Sequence, residues 1–226
     1  MVRVGPICVD TYEASVWSTA SGTSGGGTQY GDGSDNYPCT DNAHGCTGAN
    51  TIYARSEAGV NPSTDITWFQ AQQACAASGK RLITNAEWQM AVPGTPDPTV
   101  AGDDGATECR TTSAPGATGS RSACPSNFGV NDMIGKVWEM VADWVQGSGA
   151  AESSGVEGAN YGGDVIAGVN FAASQAGQSV NMPGVMWRGG RAGLLSGSET
   201  KAGAFAIAAS NAPSTDAPEL GFRCVR

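Results

Sequence analysis

The sequence predicts an α+β fold that is rich in loops, with two helices early in the chain and short strands making up the rest. Three observations predict it. The 33 glycines and 11 prolines among 226 residues, with many Ser, Thr, Asn and Asp, put much of the chain in turns and irregular loops. Two stretches with helical spacing and clear start signals follow one another between residues 65 and 93. Short apolar runs beside Gly and Pro recur near both ends. With 40% hydrophobic residues the chain can bury a core of its own, and a single domain over 1–226 is expected.

Residues 4–17, VGPICVDTYEASVW, read as strand. A Gly/Ser/Thr-rich insertion runs from 18 to about 50, and Tyr30, Tyr37 and the Cys39/Cys46 pair mark it as an ordered surface loop rather than a linker. In DITWFQAQQACAASGK, Trp68, Ala71, Gln72 and Cys75 fall at helical spacing, with Thr67 as N-cap and Gly79 as the stop. The second helix opens on a capping box, Thr84 with Glu87, and ends at Pro93. A second loop insertion spans 94–126. Turn residues Asn131, Asp132 and Gly135 then precede a buried strand carrying Val137, Trp138, Met140, Val141 and Trp144. A third Gly-rich insertion covers 146–168, and VMWRG, GAFAIAAS and GFRCVR are the last strand candidates. Trp68, Trp88, Trp138, Trp144 and Trp187 are expected in the core.

A net charge of −9 repels phosphate backbones and anionic lipid, which argues against nucleic acid as a partner. No run of 18 apolar residues and no long apolar leader is present, so neither membrane insertion nor a signal peptide is expected. Of seven cysteines, Cys39 with Cys46 and Cys109 with Cys124 close short loops; each pair reads as a local disulfide or as buried thiols. An odd total leaves one thiol over, and Cys8 is the candidate.

The stretch ITWFQAQQACAASGKRLITNAEWQMA, the stretch NFGVNDMIGKVWEMVADW, the start DTYEAS and the end RGG…GFRC occur in this order over nearly the whole chain. Together they resemble the formylglycine-generating-enzyme/sulfatase-modifying-factor family. The resemblance implies a C-type lectin fold with a small antiparallel sheet, and a disulfide between Cys75 and Cys224. Enzymes of that family oxidise a substrate cysteine with a copper-binding cysteine pair shortly after the RGG motif. Arg191 to Gly203 contains no cysteine, and no other side chain there replaces a thiolate for Cu(I). The expectation is therefore a protein that is not an enzyme and has no catalytic residues, no metal and no cofactor.

Lys136 stands where the family has a calcium-contributing asparagine, and its cation opposes a metal ion. Calcium-dependent sugar binding lacks its EPN and WND motifs. His44, the only histidine, leaves no Ser-His or Cys-His arrangement without it. With Cys39 and Cys46 it offers three zinc ligands and no fourth nearby. Glu139 and Asp143 are read as packing or capping residues.

The tail, 187–226, reads WRGGRAGLLSGSETKAGAFAIAASNAPSTDAPELGFRCVR. Its WRGG, AGAFA, NAPS and GFRC resemble the variable proteins of diversity-generating retroelements, whose C-terminal coding segment undergoes massive sequence variation by error-prone reverse transcription. The resemblance implies a non-enzymatic ligand-binding, receptor-recognition protein whose diversified face meets a protein or other surface molecule on a cell or virus, with virion or cell-surface display. If Phe205 and Ile207 point inward, Ala206 and Ala208 point outward. The expected contact residues are Arg191, Leu194, Leu195, Ser198, Glu199, Thr200, Ala206, Ala208, Ser210, Thr215, Asp216 and Glu219. The alternatives are a formylglycine-generating-type oxidase and a structural virion or surface component. Ligand identity, oligomeric state and compartment are not fixed by the sequence.

Overall fold

The computed structural model describes residues 1–21, 26–97, 107–109, 116–145, 165–166, 184–192 and 202–226. The helices form where their start signals stand. In α1 (Trp68–Ala77), Thr67 accepts from the Gln70 N–H while the Gln70 side chain accepts from the Thr67 N–H, so the expected N-cap is a reciprocal capping box. Gly79, at φ 66°, ends it: the N–H groups of Gly79 and Lys80 donate to the carbonyls of Ala76 and Cys75. Thr84 and Glu87 cap α2 (Asn85–Ala91) in the same reciprocal way. The Asn85 N–H also donates to Asp143 Oδ2 at 2.6 Å, so Asp143 serves as a further cap.

The expected strand over 4–17 divides into β1 (Val2–Val4), β2 (Ile7–Val9) and β3 (Ser15–Trp17). Gly5, at φ 56°, turns β1 into an antiparallel hairpin with β2, and the stretch between β2 and β3 leaves the sheet to bury Asp10 and Glu13. Inside the first insertion lie β4 (Gln29–Tyr30), a single 3-10 turn (Gly48–Asn50) and, just beyond it, β5 (Tyr53–Arg55). The remaining strands are β6 (Arg81–Leu82), β7 (Trp138–Val145), β8 (Val165–Ile166), β9 (Gly184–Arg188), β10 (Ile207–Asn211), β11 (Leu220–Phe222) and β12 (Cys224–Val225).

Among the described residues these strands make three sheets rather than one: β1-β2-β12-β6, β4-β3-β5 and β11-β7-β9-β10-β8. The first two are antiparallel. The third is mixed, because β11 runs parallel to β7 and β8 parallel to β10. Parallel pairing needs a long crossover, and the long connections between these strands supply it. Disulfides join Cys39 to Cys46, Cys75 to Cys224 and Cys109 to Cys124, and Cys8 is free and exposed.

Trp88, Trp138 and Trp187 are buried. Trp144 is not: near the end of β7 it is 41% exposed. There its ring meets Trp68 edge-on at 5.1 Å.

At the centre, Arg223 and Glu139 form a fully buried ion pair, Nη2 to Oε1 at 2.6 Å. The second Glu139 oxygen accepts from Trp88 Nε1 at 2.8 Å, and Arg223 donates to the carbonyls of Asp10 and Asn131, both at 2.8 Å. Beside it, Lys136 Nζ lies 2.8 Å from Asp132 Oδ2 and 3.7 Å from Glu13 Oε2. Neither Glu13 oxygen has a hydrogen-bond partner among the described residues. Burial pushes the Glu13 carboxyl well above its ordinary 4.5, against the opposing pull of Lys136.

Replacing Glu139 by Gln strands the Arg223 charge in the interior and is expected to cost about 3–5 kcal/mol in urea unfolding, whereas exchanging both partners for Met costs less. Glu13 holds its proton in the fold to a higher pH than in the unfolded chain, so its contribution is complete below pH 4.5 and is lost as pH rises toward the elevated value, at up to about 1.4 kcal/mol per pH unit. Unfolding measured from pH 4 to 8 should show a downward slope in the native chain that Glu13→Gln removes.

Candidate ligand-binding face

The start of the tail is set by two glycines and by a buried arginine. Gly189 and Gly190, at φ 84° and 81°, turn the chain out of β9. A Cβ on Gly189 would lie 2.6 Å from the Met133 carbonyl oxygen, so no other residue fits without displacing backbone. The Gly189 carbonyl accepts from the N–H groups of Gly135 and Gly203. Arg188 is buried, lies over the Trp88 ring at 4.6 Å and donates to the carbonyls of Ala204 at 3.0 Å and Phe205 at 3.5 Å and to Gln89. Burial lowers its pKa to about 10, which leaves it charged at neutral pH. The Asp97 carboxylate accepts from the Ala204 N–H.

The later part of the tail is held by its own carbonyls. Pro213 accepts from the Trp68 N–H at 3.1 Å, Ala217 from Asp65 at 2.9 Å and Glu219 from Trp138 at 2.8 Å. Tight turns close between Ala212 and Thr215 and between Ala217 and Leu220. Backbone atoms thus carry the attachment, and the bonds do not depend on which side chains the tail bears.

The twelve expected contact residues fall into three groups. Leu194, Leu195, Ser198, Glu199 and Thr200 lie outside the described residues, and for Ser210 only its place in β10 is described. Asp216 is exposed, and Arg191, Thr215 and Glu219 are half-buried. The structure brings Arg191 and Glu219 together, Nε to Oε1 at 3.7 Å.

Ala206 and Ala208 are corrections. Both are buried, at 0% and 4%, while Phe205 is 55% exposed and Ile207 half-buried. The inward and outward phase is the reverse of the expected one. Ala208 pairs with Trp187 across β9 and β10, and paired residues share a face. The rings of Trp187 and Trp138, 6.4 Å apart, belong to the same core cluster as Ala206 and Ala208, so methyl groups fit beside them where Phe would not. Phe205 precedes the strand, in a turn closed by Ala206 N–H to the Gly203 carbonyl. A bulge after Ala208 then breaks the alternation that sequence reading assumed. The run of alanines opposite the Trp of WRGG was the available signal.

Two donor sets that the sequence raised do not fit a metal ion. The Lys136 ammonium itself sits among the oxygens of Asp132, Glu13 and Ala117, and a calcium ion does not fit beside it. The sulfurs of Cys39 and Cys46 are joined to each other, so with His44 they do not make a zinc ligand set. Among the described residues no three His, Cys, Asp or Glu side chains cluster to hold a metal, and no helix is long and apolar enough to cross a membrane.

The division between inward methyls and outward side chains is testable. Ala208→Leu should destabilise by about 1–3 kcal/mol through overpacking, while Phe205→Ser should change stability by about 0.5 kcal/mol or less. Parallel thermal and urea unfolding of the two variants measures both.

Several solved structures resemble the chain at low identity. The Major Tropism Determinant P3c Variant is 20% identical with a TM-score of 0.49, over 94% of this chain and 50% of that one. PvdO from Pseudomonas aeruginosa is 21% identical with a TM-score of 0.44, over 74% and 62%, and Treponema denticola variable protein 1 is 16% identical with a TM-score of 0.45, over 73% and 70%. The chain spans about half the length of the tropism determinants it matches. No curated protein sequence matches it significantly. Residues 36–226, most of the chain, match the model of the sulfatase-modifying factor enzyme 1-like domain, and the chain belongs to that family.

Proposed function

We propose that the chain is a single C-type lectin-fold domain that binds a ligand without catalysing a reaction, in the manner of the variable proteins of diversity-generating retroelements. The tail supplies the binding face, and the ligand is a protein or other surface molecule on a cell or virus. One observation carries this reading: from Ala202 to Glu219 the tail is attached through backbone hydrogen bonds and through buried alanines, and these attachments do not depend on which side chains it presents outward. Such positions tolerate substitution at small cost.

In this reading Phe205 and Ile207 replace Ala206 and Ala208 in the face, beside Arg191, Ser210, Thr215, Asp216 and Glu219, and the expected contacts Leu194, Leu195, Ser198, Glu199 and Thr200 complete it. Phe205 offers an apolar anchor and the Arg191–Glu219 pair a charged rim. A patch of this size falls short of the roughly 800 Å² per partner of a stable interface, so neighbouring loops or several copies acting together would have to add affinity.

Family membership favours a second reading, a cysteine oxidase. The absence of cysteine between Arg191 and Gly203 opposes it, because no thiolate pair is available there for copper.

A display library randomised at Phe205, Ile207, Ser210, Thr215 and Asp216, selected on cell-surface proteins, tests the proposal. The expected outcome is that most members remain folded and that selected members lose capture when single selected residues are reverted. Widespread unfolding, or capture indifferent to all five positions, overturns it. Stoichiometric copper uptake with oxidation of a cysteine peptide would establish the enzyme instead.

A further inference from the structure

A polar cavity of about 410 Å³ opens between the end of α1, β5 and the first sheet, with Asp10, Arg55, Ser78, Lys80 and Arg226 in its wall. None of these residues belongs to the tail face described above. Lys80 reaches the cavity because Gly79 reverses the chain at the end of α1. Its ammonium donates to Asp10 Oδ2 at 2.7 Å, with the two side chains 8% and 0% exposed.

The pair is not closed on itself. Asp10 Oδ1 is buried without a hydrogen-bond partner among the described residues, and so is the Ser78 hydroxyl. An ammonium has three donors, and Asp10 takes one. At the rim, the Arg226 backbone is fixed by two hydrogen bonds to Cys8, at 2.8 and 2.9 Å, and its Nε donates to the Gly79 carbonyl at 3.3 Å, which leaves its Nη groups for a ligand. Arg55 has less to offer, because it is committed to the carbonyls of Thr19 and Ala20 and to Glu57. The wall therefore carries an excess of positive charge, together with one buried acceptor and one hydroxyl that lack partners. Purely apolar ligands leave all of these unsatisfied, and a simple anion leaves Asp10 Oδ1 without a donor.

We propose that this cavity is a second binding site, for a small polyhydroxy carboxylate of the sugar-acid class. The ligand carboxylate meets Arg226 and the free donors of Lys80, as charge-assisted hydrogen bonds favour. A ligand hydroxyl donates to Asp10 Oδ1, and another pairs with Ser78. The volume is of the size of ordinary small-molecule pockets, about 300–1,000 Å³.

Calorimetric titration of the full chain with D-glucuronate, D-glucose and acetate, each at millimolar concentration, tests the site. The expected result is saturable one-to-one binding of D-glucuronate, with D-glucose and acetate each weaker by about tenfold or more. Arg226→Ala, at the rim, and Ser78→Ala, which removes a hydroxyl without a hydrogen-bond partner, leave the Lys80–Asp10 pair in place, so both should keep the native melting temperature while binding D-glucuronate about tenfold more weakly. A cavity that holds only water gives no saturable heat, and that result overturns the proposal. So does binding unchanged in both variants, D-glucose binding as tightly as D-glucuronate, or acetate doing so. The outcome is independent of whether the tail binds a surface molecule.

Discussion

The buried pair of Arg223 and Glu139 is the interaction on which the remaining architecture depends. It joins the link between β11 and β12 to the start of β7, and through its remaining hydrogen bonds it fixes the Trp88 indole and the carbonyls of Asp10 and Asn131. A charged pair in the interior is a poor source of net stability. It does impose a geometry, since five hydrogen bonds from one guanidinium and one from an indole are satisfied in a single arrangement of the segments around Asp10, Trp88, Asn131, Glu139 and Arg223. The neighbouring group of Glu13, Asp132 and Lys136 extends that arrangement to the 117–119 loop, where Asp132 accepts from the Gly119 N–H and Lys136 donates to the Ala117 carbonyl. The Lys136 carbonyl in turn accepts from the Ala192 N–H, so the polar centre reaches the turn at which the tail departs.

This explains how a chain with few regular elements keeps a fixed outer face. Arg188 stacks on the same Trp88 that Glu139 holds, and from there it grips the carbonyls of Ala204 and Phe205. Position is passed from the buried pair to the indole, to the second arginine and then to tail backbone. Side chains at the surface take no part in that sequence of contacts.

What the sequence disclosed was local. Thr67, Gly79, Thr84 and Glu87 could be read because caps act within a few residues of themselves. The direction of Ala206 and Ala208 could not, because it is decided by the volume of Trp187 on the adjacent strand and of Trp138 beyond it. Trp144 looked like core by its neighbours, yet near the end of β7 it is 41% exposed. Arg223 and Glu139 are separated by 84 residues, and no spacing rule links them. Lys136 was legible as an obstacle to a metal ion, but the carboxylates that enclose it come from places that only the fold brings together.

The position of β12 has a consequence for how such a chain is made. It lies between β2 and β6, so the β1–β2 hairpin waits for a strand translated long after it before its sheet can close. Folding that relies on such distant partners is slow, and this sheet cannot close until β12 has left the exit tunnel. A shift of reading frame anywhere upstream of Leu220 would replace both β11 and β12 and leave the half-made sheet open. The final strands thus tie closure of the first sheet to an intact reading frame through Val225.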